Sequence, residues 1–288
     1  PETFTARQPD DLTEISMASA APAQQQLPPL YNDLRPLSSL DHGSWRLQRR
    51  DTAPFLASVH IVPVTIDEFM MTQRSMPIVF SAGDQPVPLA LMGLNSGVNV
   101  FVDDEGRLIE KNVYMPAYIR RYPFMLAKLQ QDNDEMSLCF DPTSDVIGDY
   151  DEGDELFAGN EPSETTRGLL KFCEDFEVAG RRTQQFMDEL IQADLLMDGE
   201  VSIQPDGQGK PFLYRGFKMI DETKLKNLDT EKTKALFDNG ILPLIYAHLF
   251  SLSLTRDVFA RQMAQGKVPS QPNAGTEDVV SDTDQVVN

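Results

Sequence analysis

The chain has 288 residues and a formal net charge of −20, from 45 acidic and 25 basic side chains. A surface with this excess of carboxylates repels phosphate backbones and anionic lipid headgroups, so we expect neither nucleic-acid binding nor binding at a membrane surface. The length is ample for a hydrophobic core and allows one large domain or two small ones. The negative charge favours solubility, and it could also favour a basic partner.

The two ends of the chain differ in composition from its middle. Residues 1–30 are rich in Gln, Pro and Ala, and residues 266–288 combine turn formers with acidic residues. Neither segment has a periodic apolar face. We therefore predict a disordered or loosely ordered segment over 1–36, a globular domain over 37–265, and a disordered acidic tail beyond it.

The N-terminal half of the predicted domain is rich in short β patterns. Apolar and β-branched runs predict strands near 57–64, 76–80, 87–92 and 99–103. A short helix capped by Thr65 or Asp67 follows the first strand, and a turn over 103–106 follows the fourth. Short strands joined by tight turns indicate a mostly antiparallel sheet.

The segment 115–130 contains two prolines that limit its structure. Pro116 can begin a helix, but Pro123 would interrupt it and forces Tyr122 toward extended geometry. We predict two short elements that meet at a kink.

The C-terminal half favours helices. Capping residues and an apolar face predict a long helix over 163–196, which Gly180 could bend or break. A hairpin is predicted over 201–220, followed by a helix over 221–228 that Asp221 caps and by helices over 230–239 and 241–265. The fold class is therefore α+β, with a β-rich N-terminal half packed against a helix-rich C-terminal half that contains a β-hairpin.

The sequence contains no catalytic motif and no metal-binding spacing that we recognise. Its two cysteines, Cys139 and Cys173, have apolar neighbours, which favours buried thiols, although one disulfide between them is an alternative. The three histidines are isolated from one another along the chain. We expect no metal and no cofactor.

An acidic stretch over 131–155 carries ten acidic residues and no basic one. Its spacing misses the EF-hand pattern, which requires an oxygen ligand at the fifth position and glycine at the sixth. A solvated acidic loop is the plain interpretation, and a cation site is the alternative.

Two adjacent arginines stand in an aromatic setting. Arg120 and Arg121 lie between Tyr118 and Tyr122, and guanidinium groups next to flat rings are suited to grip carboxylates, phosphates or a protein partner. These four residues are the predicted recognition surface, with His60 as a further ligand contact. In the alternative interpretation the arginines pair with acidic residues, stack on tyrosines and only hold the fold.

Several segments occur in an order that resembles the SapC family. They are HIVPVTIDEF, MPIVFS, PLALMGLNSGVNVFVDDEG, MPAYIRRYPFML, GFKMIDETKLKNL and NGILPLIYAHLFSL, and they extend over roughly residues 40–260. The resemblance implies a bacterial accessory role linked to surface (S-) layers or to peptide and metabolite handling. Genes of the family often lie beside genes for TonB-dependent receptors, flavin-dependent tryptophan halogenases and cupin-like proteins.

Two hypotheses follow for function. The first is a cytoplasmic, non-catalytic accessory protein that binds a protein or peptide partner. The sequence leaves open the identity of this partner and the oligomeric state of the protein. The second is an enzyme in which His60 acts as general base and Arg120 or Arg121 holds an anion. The enzyme hypothesis requires the base and the arginine to line one pocket.

Overall fold

The computed structural model describes residues 27–128, 136–204, 211–267 and 277–278, and the fold it shows is α+β. The predicted disordered segments therefore lie largely outside the described residues, as does the turn of the predicted hairpin. The strands are β1 (Arg35–Pro36), β2 (Arg46–Leu47), β3 (Ile61–Pro63), β4 (Ile78–Ser81), β5 (Pro88–Leu91), β6 (Phe124–Lys128), β7 (Met136–Phe140), β8 (Ile147–Gly148), β9 (Asp154–Glu155), β10 (Phe157–Ala158), β11 (Glu161–Pro162), β12 (Leu196–Asp198), β13 (Val201–Ile203), β14 (Phe212–Arg215), β15 (Phe217–Ile220) and β16 (Glu277–Asp278).

A five-stranded antiparallel sheet forms the centre of the protein, in the order β12-β15-β4-β5-β3. Every residue of β4 and β5 is buried. Their sequences, IVFS and PLAL, are continuous apolar runs because both faces of these strands are covered. The predicted strands over 76–80 and 87–92 are confirmed, whereas only residues 61–63 of the first predicted run, 57–64, pair as β3.

Helices cover this sheet and connect it to the smaller sheets. They are α1 (Ser39–His42), α2 (Phe69–Thr72), α3 (Ala117–Arg121), α4 (Glu164–Gln192), α5 (Glu222–Lys226), α6 (Thr230–Asp238), α7 (Ile241–Ser251) and α8 (Thr255–Ala264). The predicted capping role of Thr65 is confirmed by a capping box with Glu68, and Asp221 caps α5 as predicted. Gly240, with φ +73°, separates α6 from α7.

The long helix α4 joins two hydrophobic clusters. Ser163 caps its first turn by accepting a hydrogen bond from the Thr166 amide, and the helix then continues without a break through Gly180. Its N-terminal part contributes Cys173 to a smaller cluster, and its C-terminal part contributes Phe186 to the main core. The predicted helix is confirmed. Of the two effects predicted for Gly180, a bend or a break, the break does not occur, since one glycine costs only about 1 kcal/mol in a helix held by tertiary packing.

The smaller cluster lies under the β6–β7 pair and the acidic segment. Phe140 belongs to it, and the single tryptophan of the chain, Trp45, packs against it at the start of β2. The Trp45 ring lies 5.8 Å from the Phe140 ring and 4.5 Å from the imidazole of His42, measured between centroids. The cluster thereby ties residues near the N-terminus to the middle of the chain.

The predicted strand over 99–103 is wrong. Asn99 is fully buried, and its side chain donates to the Leu56 carbonyl at 2.9 Å and accepts from the Phe101 amide at 2.9 Å. An Asn side chain that bonds a backbone amide two residues ahead stabilises a turn instead of a ladder. What remains of the strand is an isolated bridge between Val102 and Leu108, next to the predicted turn at Gly106.

The predicted helix over 241–265 is divided into α7 and α8 by a 3₁₀ turn at Leu252–Leu254. Around the break, the hydroxyls of Ser251, Ser253 and Thr255 each donate to the carbonyl three residues earlier, at 2.6–2.8 Å. These side-chain bonds compete with the i−4 backbone bonds of an α-helix.

No single helix in the described residues is long and apolar enough to cross a membrane. Taken together, the helical segments 230–238 and 241–264 are long and apolar enough to do so by length and composition alone, but the chain bends by 91° between them.

Residues 27–36 pack against the body of the protein. Tyr31 is buried, and its hydroxyl donates to the Phe124 carbonyl at 2.8 Å. Leu30 and Leu34 contact the main core, and β1 pairs with β7. The described packing thus begins ten residues before the predicted domain boundary at residue 37.

Candidate functional site

The PAYIRRYPF segment changes direction sharply at its centre. Pro116 precedes the single helical turn of α3, and a cis peptide bond joins Tyr122 to Pro123 before β6 begins. The predicted pair of short elements with a kink at Pro123 is confirmed. A one-turn helix followed at once by a strand presents neighbouring side chains in different directions.

Arg121 points into the protein and is surrounded by aromatic rings. Its side chain is 5% exposed, and its guanidinium carbon lies 4.1 Å from the ring centre of Phe176 and 4.8 Å from that of Tyr118. One guanidinium nitrogen lies 3.5 Å from a carboxylate oxygen of Glu177. This geometry favours the structural interpretation of Arg121, as a cation held by π faces and one acid.

Tyr118 also lies inside the fold. It is 2% exposed, and its hydroxyl donates to the Pro29 carbonyl at 2.6 Å. Burial raises the pKa of the Tyr118 hydroxyl to about 12, against the opposing effect of the Arg121 charge. Tyr118 and Arg121 therefore hold the N-terminal residues against α3 and α4.

Arg120 lies on the opposite side of α3 and is exposed to solvent. Its Nε donates to the Met115 carbonyl at 3.0 Å, and one terminal nitrogen donates to the Tyr114 hydroxyl at 3.0 Å. The guanidinium also packs on the rings of Tyr114 and Phe172, at 5.4 and 5.3 Å from their centroids. Within the described part of the chain it makes no ion pair with a carboxylate.

Arg120 and Tyr122 border a cleft of about 490 Å³, which we call the Tyr122 cleft. The cleft lies between the RRYPF turn, the segment that leads from β2 toward β3, and the loop that follows β7. Its lining includes the residues Asn32, Gln48, Arg50, Thr52, Phe55, Arg120, Tyr122, Thr143, Ser144 and Asp145. Its volume lies within the usual range for small-ligand sites, about 300–1,000 Å³.

The Tyr122 side chain combines an aromatic wall with a polar tip. Its ring lies 4.8 Å from that of Phe55 and 5.3 Å from that of Tyr31. Burial first, and then the charge of Asp141, raise the pKa of the Tyr122 hydroxyl. The hydroxyl therefore stays protonated at neutral pH and is suited to donate or accept a hydrogen bond.

The loop behind this tyrosine is held by a buried carboxylate. Asp141 is fully buried and accepts hydrogen bonds from the Asn32 amide at 2.7 Å and from the amide and hydroxyl of Thr143 at 2.8 and 2.7 Å. These bonds fix the wall of the cleft that carries Thr143 and Ser144. Arg50 and Asp145 form an ion pair on the same side.

His60 lies in a different cavity. This smaller cavity, of about 310 Å³, is lined by His60 with Ser58, Ser96 and mainly apolar residues. Neither Arg120 nor Arg121 borders it, and His60 does not border the Tyr122 cleft. His60 thus shares neither cavity with either arginine, although the enzyme hypothesis requires the base and the arginine to line one pocket.

The acidic stretch is partly neutralised by an arginine-rich segment about a hundred residues earlier in the chain. Arg46 pairs with Glu155 at 2.9 Å and Arg49 with Asp154 at 3.0 Å, because β2 lies between β8 and β9. Among the described residues no group of three or more Asp, Glu, His or Cys side chains could hold a metal ion. In the sequence, the basic run RLQRR at 46–50 is the feature that could have indicated a partner for the acidic stretch.

The two cysteines are free and buried. Burial raises the pKa of both thiols to about 11, so they remain protonated at neutral pH. The predicted buried thiols are confirmed, and the alternative disulfide is not formed.

Comparison with known families identifies the chain. The family model described as SapC matches residues 37–258. The protein belongs to the SapC family. No curated protein and no solved structure matches the chain. The family match includes every residue of the Tyr122 cleft except Asn32.

Proposed function

We propose that this SapC protein is a non-catalytic accessory protein that binds a carboxylate-bearing peptide or protein segment in the Tyr122 cleft. The observation that carries the proposal is Arg120, an exposed guanidinium without a carboxylate partner among the described residues of a chain with 45 acidic residues. In such a chain most arginines have acids within reach. The Arg120 guanidinium is held instead by a backbone carbonyl, a tyrosine hydroxyl and two aromatic rings.

The contacts of Arg120 leave part of its binding capacity free. A guanidinium has five N–H donors, and two of its nitrogens are engaged by Met115 and Tyr114. The remaining donors can meet a carboxylate, and the existing contacts reduce the entropy that the side chain would lose on binding. Arg120 is therefore oriented before a ligand arrives.

The aromatic wall supports recognition of an apolar group next to that carboxylate. Phe55 is 39% exposed and packs on Tyr122, so both rings offer surface to a ligand. Thr52 adds a hydroxyl that can bond a peptide backbone. Flat rings beside a forked cation are enriched where proteins grip partners.

The biological setting belongs to the same proposal. Membership of the SapC family supports a bacterial accessory protein, and the low cysteine count with two free thiols supports a reducing, cytoplasmic location. A role beside surface-layer or peptide- and metabolite-handling systems would supply partners with free carboxylates. The net charge of −20 argues against nucleic acid as the partner.

The test compares peptides that differ only at the C-terminus. Acetylated tripeptides ending in Phe, with a free carboxylate or with an amide, are titrated into the protein and followed by calorimetry. We expect binding of the carboxylate form alone, and a loss of about tenfold or more in affinity for Arg120→Ala, since a hydrogen-bonded charge pair contributes about 1.5–3 kcal/mol. Because Arg120 is exposed, the melting temperature should stay nearly unchanged.

Arg107→Ala is the matched control, because Arg107 is half exposed and pairs with Asp103 outside the cleft. It should bind the peptide as the wild type does. Equal affinity for the amide and the carboxylate, or unchanged binding by Arg120→Ala, would contradict the proposed site.

A further inference from the structure

A second surface, distinct from the Tyr122 cleft, is formed by α7 and the turn after it. The segment 241–254 contains no Asp, Glu, Lys or Arg, in a chain of which 24% of the residues are charged. One face of α7 is buried: Ile245 and His248 are fully inaccessible. The opposite face has the same apolar composition, although it points to solvent.

The outward face of α7 carries two neighbouring aromatic rings. Tyr246 is 44% exposed and Phe250 is 68% exposed, and their ring centroids are 5.8 Å apart. Leu242 and Leu249, which are partly buried, lie on the same face at helical spacing, so the exposed stripe runs along the whole helix.

Helix α2 packs against α7 and adds flexible apolar side chains. Phe69 and Thr72 are fully buried, whereas Met70 is 57% exposed and Met71 is 44% exposed. Methionine side chains adapt to the shape of a partner and are frequent on binding surfaces. We call the exposed side chains of Met70, Met71, Leu242, Tyr246, Leu249 and Phe250 the α7 face.

The size of the α7 face matches what a stable dimer needs. With about 150–250 Å² for a large side chain, its exposed fractions correspond to roughly 500 Å² of apolar surface. A standard interface buries about 800 Å² on each partner, and about 65% of that area is apolar in homodimers. The α7 face alone supplies that apolar share.

We propose that the α7 face binds the α7 face of a second copy of this chain, with the two helices antiparallel across a two-fold axis. A two-fold interface must be complementary to itself, and a stripe of uncharged apolar side chains along one helix satisfies this condition. Two molecules of charge −20 repel each other over most of their surfaces, but here no like charges oppose each other.

The charges at the ends of the helix favour the antiparallel orientation. Arg256, two residues beyond the charge-free segment, is exposed and forms no ion pair with any described residue. Asp238, the last residue of α6, lies just before α7; it pairs with Lys234 of its own helix and remains half exposed. Antiparallel packing brings the Arg256 end of one copy toward the Asp238 end of the other. It also opposes the two helix dipoles favourably.

The test is the mass of the protein in solution. Sedimentation equilibrium over about 1–100 µM should show the wild-type chain, of 32.3 kDa, as a dimer. Phe250→Asp and Tyr246→Lys should each give a monomer with an unchanged circular dichroism spectrum, because both residues are exposed. Leu40→Asp, at a residue that is 90% exposed on α1, is the control and should remain dimeric.

A cysteine test reports the geometry independently. Both native cysteines are buried, so Phe250→Cys introduces the one accessible thiol among the described residues. Mild oxidation should link two copies of Phe250→Cys but not of Leu40→Cys. A wild-type monomer throughout, a dimer that survives Phe250→Asp, or a monomer that instead floats with phosphatidylcholine vesicles would each overturn the proposal.

Discussion

His248 shows how a single imidazole completes a β-sheet. Its Nδ1 donates to the Ile78 carbonyl at 2.8 Å, and its Nε2 accepts from the Ile220 amide at 3.2 Å. Ile78 and Ile220 belong to the neighbouring strands β4 and β15, whose backbone pairing ends at Phe80 and Lys218, two residues before it would reach them. The ring, stacked on Phe80 at 4.6 Å, bridges the strands at this point.

This role makes stability depend on pH. Burial lowers the pKa of His248 from 6.5 to about 4, against the opposing effect of its bond to Ile78. Between these values the unfolded chain holds a proton that the folded chain lacks, so the free energy of unfolding falls as pH decreases from 6.5 to about 4. The expected loss is about 3 kcal/mol.

Denaturant unfolding at several pH values checks this expectation. His248→Gln should be less stable than the wild type at pH 7, because a glutamine amide reproduces the two hydrogen bonds of the imidazole imperfectly. Between pH 6.5 and 4, however, the variant should lose less stability than the wild type. Carboxylates titrate in both proteins, so only the difference between the two slopes reports His248. Identical slopes would contradict the assignment.

At the same scale, the sequence could not separate Arg120 from Arg121. Both were predicted to belong to one surface, because adjacent arginines among tyrosines have the same composition on either side of a helix. Which one is buried depends on Phe176, Glu177 and Phe172 of α4, which lie about fifty residues away in sequence. Likewise, Phe55 could not be placed beside Tyr122 without the tertiary fold.

At the scale of elements, local rules located most helices and strands. Capping by Thr65, Ser163 and Asp221 and the two prolines around α3 act within a few residues, and the sequence predicted them correctly. The wrong predictions involve side chains that form hydrogen bonds with the backbone. Asn99 stabilises a turn where a strand was predicted, and the hydroxyls of Ser251, Ser253 and Thr255 lie where a predicted single helix is divided in two. Propensity does not specify which of these bonds form.

The uninterrupted path of α4 through Gly180 predicts a stabilising substitution. A Cβ added at Gly180 would meet nothing within 4 Å. Gly180→Ala should therefore raise the free energy of unfolding by about 0.5–1 kcal/mol, the usual gain for this change within a helix. Thermal or urea unfolding measures it.

Gly199→Ala is the opposite case and serves as the control. There, the added Cβ would lie 2.1 Å from the Phe217 ring, so the substitution should destabilise the protein. A Gly180→Ala protein that is less stable than the wild type would indicate that the helix is strained at this point.

At the scale of the whole molecule, α4 connects the two hydrophobic clusters. The acidic segment is the place where a boundary between two domains could lie. Instead, its strands β8 and β9 both pair with the N-terminal strand β2. Local sequence patterns could not show this, since the pairing joins residues about a hundred positions apart. We predict one domain that unfolds cooperatively.

Calorimetry of two cavity-forming variants tests this prediction. Leu156 lies in the smaller cluster and Leu190 in the main core, and both are fully buried. Leu156→Ala and Leu190→Ala should each cost about 2–5 kcal/mol and shift one single transition. Two transitions, of which each variant moves only one, would show separate units.

Trp45 gives the protein a built-in optical reporter. It is the only tryptophan of the chain, and it sits at the edge of the smaller cluster, two residues before the strand end that borders the Tyr122 cleft. Its emission therefore samples the half of the molecule that contains the acidic segment, whereas far-ultraviolet dichroism is dominated by the helices. Overlaying the two signals during unfolding, or following the emission while a peptide is added, would read each half of the protein without attaching a dye.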